Sequence, residues 1–326
     1  MHVFVAGGAG YVGAKLIPEL LNNGYKVTVY DLYIYGNVLA PHENLVEIKG
    51  DVRDLALLDS SLKNIDSVIH LACISNDPSF ELNPDLGRSI NLDCFEPFVE
   101  IAKKNGVKRF IYASSSSVYG VKEESNVTED MELEPLTDYS KFKAECEKIL
   151  FKHMSPEFIC SVVRPATVCG YSKRQRLDLV VNILTNLAYH TGTVKVMGGS
   201  QLRPNIHIDD MVRAYLLLLT APAELIHGEI FNVGYHNHSV FDIGKMVENI
   251  VSQKRPISLE IHPTNDPRSY QVCSEKIYKI LGFSPQKTIG NAIEDLLQAF
   301  DSGILENPLE NSNYYNIKKM KEIDLV

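Results

Sequence analysis

Residues 3–13 read VFVAGGAGYVG, an apolar run followed by glycines at positions 7, 10 and 13. Glycine is favoured where the backbone takes unusual dihedral angles and where a pyrophosphate must approach the main chain. The helix predicted from about Tyr11 to Asn23 would offer that phosphate its unpaired N–H groups and the positive end of its dipole. This order of strand, glycine-rich turn and helix predicts the start of a dinucleotide-binding fold.

The second predicted strand indicates which dinucleotide binds. It spans residues 26–31 and ends in Asp31, close to the position at which an acidic side chain binds the adenosine ribose hydroxyls. Residues 32–35 include no arginine or lysine to meet a 2′-phosphate, and Asp31 would repel one. The pattern therefore predicts NAD rather than NADP as the cofactor.

Composition argues against several other classes of protein. The 326 residues can bury a full core, and the formal net charge of −9 disfavours a nucleic-acid or anionic-membrane partner. No apolar stretch reaches membrane-spanning length, and the sequence starts with a strand rather than a signal peptide.

Six scattered cysteines without a C-x-x-C pair are typical of reduced thiols, so we expect a cytoplasmic protein. His236 and His238 lack further ligands at suitable spacing, so no metal site is predicted.

The first half alternates nearly continuous apolar runs with amphipathic stretches, which predicts a doubly wound α/β Rossmann domain around a parallel sheet. Strands are predicted at residues 2–6, 26–31, 45–49, 66–71, 107–113 and 158–164. Helices are predicted near residues 10–23, 54–62, 85–105 and 138–153.

Beyond residue 165 the pattern loosens, and we expect a smaller α/β substrate lobe interleaved in sequence with the end of the sheet domain. Its region is predicted to hold a helix at 179–190, strands near 193–197 and 205–208, a helix at 209–221 and a strand at 229–233. The predicted boundaries are 1–170 plus about 206–235 for the NAD-binding domain, and 171–205 plus 236–326 for the substrate lobe. Residues 301–326 are polar and are expected to form a weakly ordered tail.

A tyrosine and a lysine on one predicted helix suggest acid–base chemistry. Tyr139 and Lys143 are one turn apart and share a helix face. An adjacent ammonium group favours the phenolate and should lower the pKa of Tyr139 from its usual value near 10 toward neutrality, where it can act as a base. A run of serines, 114–117, follows the strand predicted at 107–113, at the edge where such sheets bind ligands. A serine there could hydrogen-bond the same substrate oxygen.

The glycine pattern, the serine run ending in Val118-Tyr119-Gly120, and Tyr139 with Lys143 resemble the extended short-chain dehydrogenase/reductase family. The resemblance is closest to its nucleotide-sugar epimerase and dehydratase branch and spans most of the chain. It implies that Ser115 is the catalytic hydroxyl, that Tyr139 is the base, and that Lys143 is its partner and holds the nicotinamide ribose.

The resemblance also implies contacts to ligands. Asn91 matches the family's structural asparagine, and Arg164 lies in a stretch similar to the one against the nicotinamide. The cofactor contacts implied are Gly7, Gly10, Tyr11, Val12, Gly13, Asp31, Asp51, Val52, Leu71, Ala72, Asn91, Tyr139, Lys143 and Arg164. The substrate contacts implied are Ser116, Arg174, Arg176, Arg203 and Arg268. Arginine forks suit diphosphate oxygens, although ordinary surface ion pairing is an equal alternative for Arg174 and Arg176.

A nucleoside-diphosphate sugar is the ligand that this resemblance implies. In this branch Tyr139 would take the proton from the sugar C4 hydroxyl while C4 gives hydride to NAD. Dehydratases of the branch usually read Thr-Asp-Glu before Val-Tyr-Gly, whereas residues 115–117 are all serine. Serine is a poor general base, so the pattern favours a 4-epimerase. The alternatives are a net C4 dehydrogenase, a 4,6-dehydratase, a reductase of a 4-keto sugar, and a non-catalytic NAD-binding sensor or scaffold.

Relatives of this kind pair two helices in a homodimer. The corresponding segments lie near 92–105 and 138–153, and the first carries an apolar stripe. The stripe consists of Phe95, Phe98, Val99 and Ile101. It exceeds what one face against a sheet needs, so we expect a homodimer, with burial inside the subunit as the competing account.

Overall fold

A computed structural model describes residues 1–122, 124–264 and 269–325 of the chain. The strands are β1 (His2–Ala6), β2 (Lys26–Asp31), β3 (Leu45–Lys49), β4 (Ser67–His70), β5 (Arg109–Ala113), β6 (Ile159–Pro165), β7 (Thr167–Cys169), β8 (Thr193–Met197), β9 (Leu202–His207), β10 (Glu229–Val233), β11 (His236–Ser239) and β12 (Ser258–His262). The α-helices are α1 (Gly13–Asn22), α2 (Leu55–Ser61), α3 (Asp77–Phe80), α4 (Pro84–Arg88), α5 (Phe95–Lys104), α6 (Asp138–His153), α7 (Val180–Thr191), α8 (Ile208–Thr220), α9 (Ala223–Ile226), α10 (Val240–Val251), α11 (Glu275–Leu281), α12 (Ile289–Asp301) and α13 (Asn316–Glu322). Among the described residues, no helix is both long enough and apolar enough to cross a bilayer.

Seven parallel strands form the main sheet, in the order β10-β6-β5-β4-β1-β2-β3. Along β1, Val3 and Val5 pack into one core while Phe4 packs into the core on the opposite face. Successive strand residues point to opposite faces, so helices covering both faces require the continuous apolar runs seen in the sequence. The predicted doubly wound fold is confirmed.

The remaining strands form two smaller sheets. β11 and β7 flank β9 in the first, and β12 pairs with β8 in the second. A separate core joins these elements to α7, α10 and α12 through residues such as Leu184, Val194 and Ile243. The division into domains at the boundaries given above stays a prediction.

Two segments differ from the expectations. The helix expected at 85–105 is interrupted by a π-helical turn, Ser89–Asp93, between α4 and α5. The C-terminal segment is not a loose tail, because it forms α13, in which Asn316 and Met320 are buried. The polar composition of that segment reflects hydrogen bonds to the rest of the protein rather than weak order.

The apolar stripe on α5 is accounted for inside the subunit. Phe95, Phe98 and Val99 are at most 1% exposed and belong to the core beneath the sheet, with Ile101 packed against it. The stripe therefore gives no independent support for a subunit interface. The homodimer stays a prediction, which a sedimentation measurement would test.

His70 ends β4 inside a cage of aromatic rings. Its ring centroid lies 4.9 Å from that of Phe98 and 5.3 Å from that of Phe95. Among the described residues neither ring nitrogen has a hydrogen-bond partner. Burial, reinforced by the charge of Lys143, lowers the pKa of His70 to about 3. The folded protein therefore holds this imidazole neutral.

Replacing His70 with leucine should flatten the acid sensitivity of the fold. Between the ordinary value of about 6.5 and the folded pKa of about 3, the unfolded chain binds the extra proton, so stability is lost as the pH falls. At pH 4.5 the loss from this residue is about 3 kcal/mol. Urea unfolding at pH 7.5 and 4.5 measures it, with the exposed His42→Leu as control. An unchanged pH slope in His70→Leu would contradict a neutral, unpaired imidazole.

Candidate active site

One cavity of about 850 Å³ runs along the carboxyl edge of the main sheet. Its walls come from residues that follow β1, β2, β4, β5 and β6, together with parts of the smaller sheets. β1 and β4 are neighbours, and the chain order reverses between them, which is the point where open α/β sheets bind ligands. The fold thus brings distant parts of the sequence to one site.

Most of the predicted site residues line this cavity. They are Gly7, Gly10, Tyr11, Val12, Gly13, Asp31, Asp51, Val52, Leu71, Ala72, Ser115, Ser116, Tyr139, Lys143, Arg174, Arg176 and Arg203. Their placement is what binding roles require, and the individual roles stay predictions.

The glycine-rich loop fits a dinucleotide because it is too tightly packed to hold side chains at its glycine positions. Gly7 has a φ of +76°, and a Cβ there would lie 2.6 Å from the backbone nitrogen of Ala72. A Cβ on Gly13 would lie 2.3 Å from the carbonyl oxygen of Gly8. The first N–H groups of α1 therefore sit close against the loop, where they can receive a pyrophosphate. The Tyr11 hydroxyl donates to the Gly170 carbonyl at 2.6 Å and ties the loop to the far wall.

Asp31 is held in position by the backbone. Its carboxylate accepts hydrogen bonds from the amides of Ala9 at 3.0 Å and Tyr33 at 2.8 Å. Burial raises the pKa of Asp31, and these two amides oppose the shift. The Asp31 carboxylate is thus fixed beside the cavity, where it could bind the two hydroxyls of a ribose.

Asp51 also lines the cavity but is paired on its solvent side. Arg53 donates to it through Nε at 2.9 Å and Nη2 at 2.5 Å. This pairing lowers the pKa of Asp51 despite partial burial. The residue can therefore remain an acceptor at any physiological pH.

Tyr139, Lys143 and Ser115 converge at the end of β5. The Lys143 ammonium donates to the Ala113 carbonyl at 2.6 Å and lies 5.9 Å from the ring centroid of Tyr139. Ser115 caps the short turn that follows, since its Oγ accepts from the Ser117 amide at 3.1 Å. The buried lysine is anchored by the sheet, and the serine hydroxyl is fixed by the local turn.

The expected lowering of the Tyr139 pKa is wrong for the protein chain alone. Burial raises it well above the usual value, and Cys73 and Asp77 add to the shift. Ser115 and Arg176 act in the opposite direction but do not outweigh burial. The sequence spacing identified Lys143 as the neighbour of Tyr139, but it did not show how deeply the Tyr139 phenol is buried. A bound NAD⁺ supplies a positive ring that favours the phenolate.

Among the residues that the structure describes, two predicted ligand residues, Asn91 and Arg164, do not line the cavity. The Asn91 side chain bonds the amide and the carbonyl of Ile74, at 2.8 and 2.9 Å, so it fixes the loop behind the wall. Arg164 points the other way and pairs with Glu147, with an Nη2–Oε2 distance of 2.7 Å. Its assignment as a cofactor contact is therefore corrected, although the following residue, Pro165, does line the cavity. Arg268 lies outside the described residues.

Arg174 and Arg176 are not surface ion pairs. They are 4% and 8% exposed, in the loop between β7 and α7. Arg174 stacks on Tyr35, with its guanidinium carbon 3.6 Å from the ring centroid. Arg203 on β9 and Lys195 on β8 also line the cavity. Positive side chains therefore reach the cavity from the loop between β7 and α7 and from two strands of the smaller sheets.

Sequence reasoning named Leu71 and Ala72 after β4 but missed two further parts of the wall, residues 74–78 and helix α13. The first part contributes Ser75 and Asp77, and its place shortly after a buried strand was a usable signal. α13 contributes Asn316, whose side-chain and backbone partners are at least 138 residues away in sequence. No local pattern could have indicated it.

The model of the NAD dependent epimerase/dehydratase family matches residues 3–234. The chain belongs to this family. Within the NAD dependent epimerase/dehydratase family, the UDP-glucose 4-epimerase of Lactobacillus helveticus is 26% identical to it over 305 residues, covering 88% of this chain and 92% of that protein.

Two solved structures of similar proteins extend over nearly the whole chain. MoeE5 in complex with UDP-glucuronic acid and NAD is 28% identical, with a TM-score of 0.81, and the match covers 93% of this chain and 100% of MoeE5. The UDP-glucose 4-epimerase of Thermotoga maritima with UDP-glucose is 25% identical, with a TM-score of 0.84, covering 94% and 100%. The predictions of an NAD-dependent enzyme and of the short-chain dehydrogenase/reductase fold are confirmed.

Proposed function

We propose that the protein is a nucleotide-sugar 4-epimerase, which inverts the C4 hydroxyl of a nucleoside-diphosphate sugar through a 4-keto intermediate. The observation that carries the proposal is the convergence of Ser115, Tyr139 and Lys143 on one cavity whose 115–117 segment offers only hydroxyls. Similarity to UDP-glucose 4-epimerases supports the reaction, and the ligands named for the two solved structures support the substrate class.

Each of the three residues has a distinct task in this reaction. Tyr139 removes the proton from the C4 hydroxyl and later returns it, and Ser115 donates a hydrogen bond to the same oxygen as it becomes a ketone. Lys143, held by the Ala113 carbonyl, favours the ionised phenol. NAD, when bound, accepts and returns the hydride. Inversion requires the keto sugar to present its other face before the hydride returns.

A carboxylate in the cavity makes 4,6-dehydration the second candidate. Asp77 lines the wall and acts electrostatically on Tyr139. The Thr137 hydroxyl donates to it, so one of its oxygens is already engaged. Dehydration would need Asp77 to move a proton at C5 or C6, and no acid in the serine run would assist it.

Product mass and isotope retention distinguish the two reactions. Incubated with UDP-glucose deuterated at C4, the purified protein should give an isomer of unchanged mass that retains the deuterium, because the hydride returns to the same carbon. Mass spectrometry and proton NMR measure both properties. Loss of water would contradict epimerisation in favour of dehydration, and accumulation of NADH would indicate a net dehydrogenase.

A further inference from the structure

Arg174 and Arg176 place unpaired donors deep in the protein. Within the described residues, Nε and Nη1 of Arg174 and Nη2 of Arg176 are buried without a hydrogen-bond partner. Buried donors, and charged ones above all, are nearly always paired in folded proteins, because an unpaired charge away from water is strongly destabilising. Such atoms beside a ligand cavity indicate a group that is supplied by the ligand.

Their existing contacts hold both guanidinium groups in place. Arg176 donates to Asp178 through Nε at 2.8 Å and to Ser75 through Nη1 at 3.1 Å. Arg174 donates through Nη2 to Asn316 at 2.8 Å, and Asn316 in turn donates to Ser75 at 2.9 Å. All five residues line the cavity.

The local charge balance is positive. Two guanidinium groups share one bonded carboxylate, that of Asp178. Asp31 also acts on Arg174, but its oxygens accept bonds from two backbone amides. The arginines therefore retain a net positive charge beside the cavity, which an anion would balance. The three unpaired nitrogens are covered in this conformation, so the guanidinium planes must turn slightly to meet that anion.

The position of this charge brings it close to the reacting hydroxyl. The charge of Arg176 lowers the pKa of Tyr139, and Arg176 bonds the loop that follows β4. The N-terminus of α1 is available to the pyrophosphate of NAD, and Arg203 and Lys195 line the part of the cavity formed by β8 and β9. Arg176 thus acts on the reacting hydroxyl of Tyr139, and both arginines also act on Tyr11 of the glycine-rich loop, so the experiment must separate a sugar carboxylate from the cofactor's pyrophosphate.

We propose that the sugar of the substrate carries a carboxylate, which Arg176 and Arg174 bind beside Tyr139. This inference rests on the proposed function, and it narrows the substrate class to nucleoside-diphosphate uronic acids. A bidentate guanidinium–carboxylate pair in a water-poor site gives both affinity and orientation. A neutral hydroxymethyl group at the same place would leave the charge unbalanced, so UDP-glucose should bind more weakly than UDP-glucuronic acid.

The test compares the two sugars on the NAD-loaded protein and on variants. KM for UDP-glucuronic acid should be lower than for UDP-glucose, and Arg176→Leu should raise the former roughly 100-fold while raising the latter little. Arg176→Lys keeps the charge without the fork and should give an intermediate loss for the acid alone. Arg203→Leu is the reference for a diphosphate contact, and it should weaken both sugars equally. NAD affinity, measured by fluorescence quenching, should be unchanged in each variant, and its loss in Arg176→Leu alone would assign the arginine to the cofactor's pyrophosphate and overturn the inference.

The outcomes separate this inference from the proposed reaction. Interconversion of UDP-glucose with no preference for the acid would overturn the inference and leave the epimerase intact. Equal losses for both sugars in Arg176→Leu would assign the arginine to a diphosphate and overturn the inference. Preference for the acid with loss of carbon dioxide from the product would support the carboxylate site and contradict epimerisation. Failure of both sugars to bind would overturn both.

Discussion

Replacing Tyr139 with phenylalanine should lower kcat at least about 1,000-fold while NAD remains bound. In the proposed reaction the phenol moves the C4 proton, which phenylalanine cannot do, whereas phenylalanine keeps the ring that lies near Lys143. The ring also retains its place in the cavity wall, so the cofactor site should change little. Steady-state kinetics with the nucleotide sugar and a titration with NAD measure the two effects separately.

The exposed Tyr278→Phe is the matched control, since its side chain is 60% exposed and it should leave kcat unchanged. If Tyr139→Phe retained most of its activity, another group would be the base and the proposed mechanism would be wrong. If NAD binding were lost together with activity, the phenol would act mainly in holding the cofactor.

Replacing Glu147 with glutamine should cost about 3 kcal/mol in the free energy of unfolding. Glu147 accepts two bonds from Arg164, at 2.7 and 3.0 Å, and both side chains are at most 5% exposed. Burial alone would lower the pKa of Arg164, but its bonds to Glu147 outweigh burial and raise the value. Because arginine does not deprotonate in proteins, the guanidinium stays charged in the variant and has lost its counter-ion.

Chemical denaturation of the variant and of Glu145→Gln tests this expectation. Glu145 lies on the same helix, and its pair with Lys148 is exposed, with side chains 50% and 72% accessible. Its loss should cost no more than about 0.5 kcal/mol. Equal losses in the two variants would show that the buried pair contributes no more than a surface pair.

The sheet was predictable because its strands are buried on both faces. In a run such as residues 109–113 the charged residue, Arg109, stands at the start and the four residues after it are buried, and the observed β5 matches most of the predicted strand. The interruption of the helix expected at 85–105 was not predictable. Asn91 there bonds a loop after β4, and that contact depends on tertiary structure rather than on local periodicity.

The site was predictable where a motif fixes both identity and direction. Tyr139 and Lys143 share a helix face, so their spacing placed both at the cavity. Arg164 shows the limit of this reasoning, because adjacent strand residues face opposite sides and its side chain meets Glu147 on α6 instead. The pKa of Tyr139 shows another limit, since burial is a property of the folded molecule.

The growing chain contains every strand of its main sheet before it contains all the residues of its pocket. The last strand of that sheet ends at Val233, whereas Asn316, which orients Arg174, leaves the ribosome much later. Domains generally fold as their residues emerge during synthesis. The residue that completes the proposed substrate contact is therefore synthesised after every strand of the scaffold that carries the nucleotide loop.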